Sequence, residues 1–271
     1  MQIQNGNFWD AKLYNEMAVP QYHVAMNLLE TYPFQGTEEV LDIGCGTGNI
    51  TVHIAEKVKK GKVIGIDISE DMINFAKQTF SGVSNLSFEQ KNIIDISYAN
   101  KFDLITSFNT LHWVKEKETA IEKMFAHLKK DGHLLVTMLR SSFDAEPMNI
   151  ALTQTVRDQK WYGYFKEFKP PYYLYNVKSK EYKDILMRVG FTIQFFNENC
   201  YNLTFATKED LAAWCESWIP QRLAIPYEKR KAFFLDLVDN YVNNTRQSAQ
   251  LSYYYYTWEF MALKHAELLV V

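Results

Sequence analysis

The sequence predicts an α/β fold in which helices cover both faces of a largely parallel sheet. Two observations support this prediction. Apolar strand patterns alternate with helical patterns over residues 37–140, and a glycine-rich segment separates the first strand from the helix after it. Such alternation requires crossover connections, which place successive strands parallel to one another. The 271 residues, of which 47% are hydrophobic, are enough to bury one large core.

Each element is predicted from its apolar spacing and its capping residues. Residues 12–32 predict a helix, because apolar side chains recur there at helical intervals. Residues 69–80 predict another, with Ser69 as N-cap and two acids that suit the positive end of a helix. Short apolar runs predict strands over residues 40–43, 62–67, 86–90, 102–108, 133–139, 191–205 and 253–264. The remaining helices are predicted over residues 50–58, 116–129 and most of 207–244.

The whole chain, residues 1–271, is predicted to form a single domain with additions around a central core. Residues 1–36 are assigned to a helical lid and residues 37–140 to the ligand-binding core. Aromatic clusters dominate after residue 141, so residues 141–190 and 206–246 are assigned to a cap over a small organic ligand. Residues 191–205 and 247–271 are assigned to the final strands.

Composition narrows the classes of partner. The net charge is -3 and no run of lysine or arginine exceeds three residues, which disfavours nucleic acid. No apolar stretch is long enough to cross a bilayer, and the polar start of the chain is unlike a signal peptide. Cys45, Cys200 and Cys215 lack metal-ligand spacing, so no metal is expected, and reduced thiols favour a cytoplasmic location. Nothing in the sequence requires more than a monomer.

A D-x-G-x-G-x-G motif is the most informative segment. It consists of Asp42, Gly44, Gly46 and Gly48, and it lies between a predicted strand and a predicted helix. Glycines in such a loop permit positive φ and let a ligand approach the backbone closely. The dinucleotide pattern G-x-G-x-x-G has its third glycine one residue later, and no lysine follows these glycines as it would in a P-loop.

Two carboxylates extend the motif. Asp42 directly precedes the loop, where it would repel a pyrophosphate but suit a ligand with an ammonium group. Asp67 ends the next predicted strand, where a carboxylate can accept hydrogen bonds from both hydroxyls of a ribose. A structural glycine turn is the plainer interpretation of one G-x-G, but three glycines and two acids together favour a ligand site.

These residues resemble the class I S-adenosylmethionine-dependent methyltransferases over residues 38–140. The resemblance implies a Rossmann-like fold, with a seven-stranded sheet whose last strand is antiparallel. It also implies that S-adenosylmethionine is the methyl donor, S-adenosylhomocysteine the product, and Asp67 and the motif the centre of the binding site. Further cofactor-binding residues are implied at Tyr14, Ile68, Met72, Asn92, Ile93 and Asn109.

The resemblance gives several of these residues a specific place. Tyr14 lies on the N-terminal helix, which closes over the cofactor, and Met72 faces the adenine. Asn92 stands where the family usually has an acid near the adenine amino group, and Asp95 could serve that role instead. Asn109 ends the strand that lies beside the sulfonium.

Shorter segments are similar to a narrower group of enzymes. These segments are F-W-D at 8–10, L-Y at 13–14, N-T-L-H-W at 109–113 and the stretch at 214–222. They resemble trans-aconitate methyltransferases, juvenile hormone acid methyltransferases and the malonyl-acyl-carrier-protein methyltransferase of biotin synthesis. All three methylate a carboxylate oxygen, which implies a small organic acid as the acceptor.

His112 is the candidate catalytic residue, because it follows the strand that ends beside the methyl group. It could hydrogen-bond a substrate carboxylate or act as a base, although a buried histidine bonded to the backbone is an equally ordinary interpretation. Trp113 could form a wall of the substrate pocket. Arg222, and with less support Arg140, could hold a carboxylate through a bidentate guanidinium.

Three functional hypotheses follow. The first is a methyltransferase that esterifies a carboxylate on a small organic acid. The second is a methyltransferase for a carrier-protein-bound or other macromolecular acceptor, for which clustered lysines are available at Lys166, Lys169, Lys178, Lys180 and Lys183. The third is a non-catalytic module that binds S-adenosylmethionine.

Overall fold

A computed structural model describes residues 9–99, 101–140, 146–170, 178–246 and 251–265. Residue 8 and parts of the predicted lid, cap and final-strand segments therefore lie outside the described residues. The strands are β1 (Glu39–Ile43), β2 (Lys62–Asp67), β3 (Leu86–Gln90), β4 (Phe102–Phe108), β5 (Leu128–Leu139), β6 (Phe191–Phe205) and β7 (Leu251–Lys264). The α-helices are α1 (Ala11–Met17), α2 (Val19–Leu29), α3 (Asn49–Lys57), α4 (Glu70–Thr79), α5 (Lys117–His127), α6 (Pro147–Arg157), α7 (Tyr162–Phe165), α8 (Ser179–Val189), α9 (Lys208–Trp218) and α10 (Tyr227–Thr245).

The described strands form one seven-stranded sheet in the order β3-β2-β1-β4-β5-β7-β6. Strands β1 to β5 are parallel to one another, whereas β7 runs antiparallel to both β5 and β6. The predicted fold class is confirmed, including the antiparallel last strand. The strand order reverses direction between β1 and β4, and in open parallel sheets ligands bind at such a switch point, beyond the carboxyl ends of the strands.

The central strands β1 and β4 are buried on both faces, as their apolar sequences require, whereas the edge strand β6 is largely exposed. Successive residues of a strand point to opposite faces, so Val40 packs with α2 and α3 while Leu41 packs with α5 and α8. Leu104 and Ile105 of β4 divide between the same two layers. A separate aromatic cluster joins α6, α9 and α10 to the start of β7.

Some predicted boundaries were wrong. The helix predicted over residues 12–32 is two helices, because the chain leaves helical geometry at Ala18 and Pro20 lies in the first turn of the second helix. The predicted helix over 207–244 is interrupted by the 3₁₀ turn Pro220–Leu223 between α9 and α10. Strands β5 and β7 begin before the predicted residues 133 and 253.

None of the helices in the described residues combines the length and hydropathy needed to cross a bilayer. In the same part of the chain, no group of three or more His, Cys, Asp or Glu side chains is arranged to hold a metal ion.

Candidate active site

A cavity of about 430 Å³ opens at the carboxyl ends of β1, β2 and β4. Residues from the glycine loop, the end of β2 and the segment after β3 line one half. The segment after β4, the end of β5, α9 and β7 line the other half. Of the predicted site residues, those that line it are Tyr14, Gly44, Asp67, Ile68, Met72, Asn92, Ile93, Asn109, His112 and Trp113.

The glycine loop can follow its path only with glycine at two of its positions. Gly44 has φ +71°, and a Cβ there would lie 2.0 Å from Oγ1 of Thr110. Gly48 has φ +84°, and a Cβ there would lie 2.7 Å from the ring of Phe88. Gly46 also has positive φ, at +52°, but a Cβ there would meet only Tyr14, at 4.0 Å. Gly46 and Gly48 are not among the lining residues, so the loop contributes mainly Gly44 to the cavity wall.

Asp42 lies beneath the loop rather than in the cavity wall. Its side chain is buried and accepts hydrogen bonds of 2.7 Å from the hydroxyls of Thr51 and Thr106. Burial raises the pKa of the Asp42 carboxyl to about 6, although the two hydroxyls act in the opposite direction. The observed contacts of Asp42 therefore tie β1 to α3 and β4.

Asp67 lies at the end of β2 and lines the cavity directly. One carboxylate oxygen accepts the backbone N–H of Gly46 at 3.0 Å, and the other accepts that of Ser69 at 2.8 Å. Burial raises the pKa of Asp67, and these backbone donors counter that shift. The backbone N–H of Ile68 is a third donor to this carboxylate, which can accept about four hydrogen bonds and so retains capacity for a ligand.

Four residues surround Asp67 along the same half of the cavity. Ile68, Met72 and Ile93 supply apolar surface, and Asn92 supplies an amide whose oxygen also accepts the N–H of Ile94 at 3.3 Å. The alternative residue, Asp95, is exposed and is not part of this lining.

Aromatic side chains cover the cavity from the N-terminal side. The rings of Trp9 and Tyr14 meet edge-to-face with centroids 5.7 Å apart, and Trp9 meets Trp113 at the same separation. Burial, and then the charge of Asp67, raise the pKa of Tyr14 to about 12. The phenol is therefore neutral at physiological pH and can serve as a hydrogen-bond donor.

His112 is held in one hydrogen-bonding arrangement. Its side chain is buried, and its Nδ1 atom accepts the backbone N–H of Leu139 at 3.1 Å. Because Nδ1 is the acceptor, the neutral ring carries its proton on Nε2. Burial, and then the charge of Lys117, lower the pKa of His112 to about 3. The Lys117 ammonium donates to the carbonyls of Leu111 and Val114, which flank the histidine.

Several lining residues were not among the site residues predicted from the sequence, and Tyr255, Trp214 and Gln21 are three of them. Tyr255 donates its phenolic hydrogen to Oδ1 of Asn109, which leaves the Asn109 amide nitrogen as the free end of that side chain. Among the described residues, Nδ2 of Asn109, Nε1 of Trp214 and Oε1 of Gln21 are buried without a hydrogen-bond partner. Buried polar atoms of this kind usually have a partner, so their presence around a cavity indicates a polar ligand.

The predicted arginines lie outside the main cavity. Arg222 is buried beside a second depression, formed with Trp9, Asp10 and Lys12. Arg140 contacts Glu198 at 3.4 Å and lies over the ring of Tyr256. The five lysines considered for a carrier protein are also absent from the cavity lining in the described part of the chain.

The comparisons with known proteins concern the same region of the chain. Residues 35–189 match the family described as "Methyltransferase domain". Protein 235L of Invertebrate iridescent virus 6, named for a methyltransferase, is 26% identical over 86% of this chain and 85% of its own length. The juvenile hormone acid O-methyltransferase of Bombyx mori is 31% identical over 57% of each chain. Enzymes named for trans-aconitate and for malonyl-acyl-carrier-protein methylation also match, which confirms the narrower resemblance.

Solved structures support the fold. A crystal structure of a Bacillus halodurans protein named for a methyltransferase superimposes with a TM-score of 0.63. It is 20% identical and covers 89% of this chain and 99% of its own.

Proposed function

The chain belongs to the methyltransferase-domain family, and from this premise we propose that it transfers a methyl group to a carboxylate oxygen of a small organic acid. The chain is an S-adenosylmethionine-dependent methyltransferase, so a non-catalytic module is set aside. Its relatives include enzymes named for the methylation of carboxylic acids, which supports the acceptor class.

The residues around the cavity fit S-adenosylmethionine. Gly44 lines the cavity without a side chain of its own, so a ligand can approach its backbone closely. Asp67 offers a carboxylate for the ribose hydroxyls, and Met72 and Ile93 offer apolar surface for the adenine. When bound, S-adenosylmethionine supplies a methyl group that is already activated by the sulfonium.

The hydrogen bond between His112 and Leu139 supports the choice of a carboxylate. A neutral His112 whose Nδ1 is occupied presents an N–H donor to the cavity rather than a base. Tyr14, whose pKa is raised, is likewise no base at neutral pH. Asp67 is engaged with backbone amides in the other half of the cavity. A nucleophile that is already ionised at neutral pH requires no general base, and a carboxylate meets that condition.

The reaction balances without proton transfer. A lone pair of the acceptor carboxylate forms the new O–CH₃ bond, and the electrons of the breaking C–S bond remain on sulfur. The products are a neutral methyl ester and the neutral thioether of S-adenosylhomocysteine. The protein contributes by holding the reactants in line and excluding water, with the N–H groups of His112 and Asn109 orienting the carboxylate.

The test is a screen for methyl ester formation. The full-length protein is incubated with S-adenosylmethionine and a panel of carboxylic acids, and the products are identified by mass spectrometry. Each acid is paired with its alcohol and its amine of the same carbon skeleton. We expect methyl esters from one or more acids, whereas methylation of alcohols or amines alone would contradict the proposal.

A further inference from the structure

Apart from Lys115 and Glu116, which are exposed, the acceptor half of the cavity is lined by neutral side chains. We call this neutral part the acceptor wall and define it as Asn109, His112, Leu139, Trp214, Tyr253 and Tyr255. Its ionisable side chains are uncharged, since His112 is neutral and burial raises the pKa of both tyrosines. The wall can donate hydrogen bonds to an anion, but none of its own side chains carries a positive charge.

The cations of the cavity lie elsewhere. Among the described lining residues these cations are Lys91 and Lys115. Lys91 follows β3, where its ammonium is 2.6 Å from the Glu89 carboxylate. Strands β3 and β5 are four steps apart in the sheet, which at about 4.8 Å per step puts Lys91 roughly 19 Å from Leu139. Lys115 is exposed at the mouth, next to Glu116.

Lys117 and the segments outside the described ranges are the other places where a positive charge near the wall could come from. The charge of Lys117 lowers the pKa of His112, but its ammonium is directed at the carbonyls of Leu111 and Val114, and the residue does not line the cavity where it could pair with the acceptor. The segments at 1–8, 141–145, 171–177, 247–250 and 266–271, together with residue 100, contain no lysine or arginine. No side chain of those segments can therefore add a lysine or arginine charge to the acceptor wall.

A carboxylate that leaves water for such a wall needs a countercharge, because neutral donors only partly replace its hydration. We propose that the acceptor wall has no cationic side chain of its own to pair with the acceptor, so that an anionic acceptor binds well only when a positively charged methyl donor occupies the cavity. This inference rests on the proposed function, since it takes the acceptor to be a carboxylate. It adds a binding order and a means of keeping unreacted acid off the complex with the spent donor.

Methyl transfer removes the negative charge of the acceptor and the positive charge of the donor in the same step. S-adenosylhomocysteine is neutral at sulfur, so an unreacted acid has no partner beside it and dissociates. A fixed arginine in the wall would instead hold the acid against the spent donor. The neutral wall also favours the reaction, because a cation and an anion that neutralise each other lose less solvation in weakly polar surroundings.

The experiment compares two donor analogues that differ at the critical position. The protein is saturated with S-adenosylhomocysteine, or with sinefungin, which carries a protonated amine in place of the methylsulfonium. Each complex is titrated calorimetrically with straight-chain carboxylates from acetate to decanoate, and with the matching primary amides as uncharged controls. Saturation with S-adenosylhomocysteine is itself the test of donor binding, so its failure would count against the proposed function rather than against this inference.

We expect the carboxylates that bind to do so at least tenfold more tightly in the sinefungin complex, and the amides to show no such difference. Opposite unit charges in contact inside a protein interact by more than the free energy that corresponds to a tenfold change. Equal carboxylate affinity in the two complexes would overturn the inference. Binding of no carboxylate in either complex would overturn it as well.

A variant supplies the reciprocal test. Leu139→Lys adds a fixed cation to the wall while keeping the backbone N–H that His112 accepts, and Leu139→Met is its matched control. The lysine variant should bind the carboxylates almost equally with either analogue, whereas the methionine variant should keep the original ratio. An unchanged ratio in a folded lysine variant would contradict the proposed source of the countercharge.

Discussion

Replacing His112 separates its two possible roles, as a hydrogen-bond donor and as a base. In the wild type, Nδ1 accepts the N–H of Leu139 and Nε2 carries the proton that a carboxylate would accept. His112→Gln keeps an N–H donor but cannot take up a proton near neutral pH. His112→Ala removes the donor altogether, so the two variants should differ if donation is the role.

The expected magnitude follows from one hydrogen bond to a charged acceptor. Such a bond contributes about 1.5–3 kcal/mol, so His112→Ala should lower kcat/KM by about 10- to 150-fold. His112→Gln should retain most of the activity. A loss in the glutamine variant as large as in the alanine variant, with both proteins folded, would refute the role of donor.

The pH profile provides an independent measure of the same point. With its pKa lowered to about 3 by burial and by Lys117, His112 stays neutral across the usual assay range. Between pH 5.5 and 8, kcat/KM of the wild type should therefore show no rise or fall that depends on His112. This range brackets about 6.5, the ordinary pKa of histidine. Initial rates of S-adenosylhomocysteine release would be recorded for wild type and His112→Gln. A limb near pH 6.5 that vanishes in the variant would show that His112 acts as a base.

Three further predictions concern the donor site and stability. Asp67→Asn should weaken S-adenosylhomocysteine binding by about 10- to 100-fold in calorimetry, because one acceptor for a hydroxyl is lost; unchanged affinity would exclude the assignment. Gly44→Ala should lower the free energy of unfolding in urea by more than about 2 kcal/mol, given positive φ and the collision with Thr110. Gly82→Ala, at a position where an added Cβ meets open space, should change the free energy of unfolding by less than about 0.5 kcal/mol. Similar losses in the two variants would contradict this account. Below about pH 6.5 the unfolded chain binds a proton at His112, whereas the native protein does not. The contribution of neutral His112 to the free energy of unfolding is therefore full above that pH and declines below it. The loss should reach about 2 kcal/mol at pH 5, and His112→Gln should lack it in urea titrations at both pH values; an equal loss in the variant would assign the effect to other groups.

Sequence spacing was sufficient to predict the sheet and the centre of the site. The alternation of strands and helices depends on local apolar periodicity, and it led to the observed class of sheet. The proximity of the glycines after β1 to the acid at the end of β2 follows from chain order, because parallel strands bring their carboxyl ends to the same edge of the sheet. Asp67 and Gly44 accordingly line one cavity with His112.

The direction of a side chain depends on tertiary contacts that spacing does not reveal. Asp42 precedes the glycines as predicted, yet it turns inward because Thr51 and Thr106 supply its hydrogen bonds. Arg222 lies on a short 3₁₀ turn whose presence inside a predicted helix was not foreseen. That turn leaves the guanidinium beside a different depression from the main cavity.

The acceptor side was the least accessible from the sequence. Trp214, Gln21 and Tyr255 come from α9, α2 and β7, which are remote in the chain and meet only in the folded protein. An unpartnered buried atom such as Trp214 Nε1 is visible only when all its neighbours are known. The aromatic richness of the C-terminal half and the resemblance of the stretch at 214–222 were signals for this side, but neither separates a cavity wall from a packed core.

The most direct test of the account is calorimetric titration of the wild-type protein and of Asp67→Asn with S-adenosylhomocysteine, with NAD and adenosine nucleotides as controls. We predict saturable binding at one site in the wild type, clear weakening in the folded variant, and no comparable binding of NAD. Absence of binding to a folded wild-type protein, or equal affinity in both proteins, would contradict the assignment of this cavity to S-adenosylmethionine.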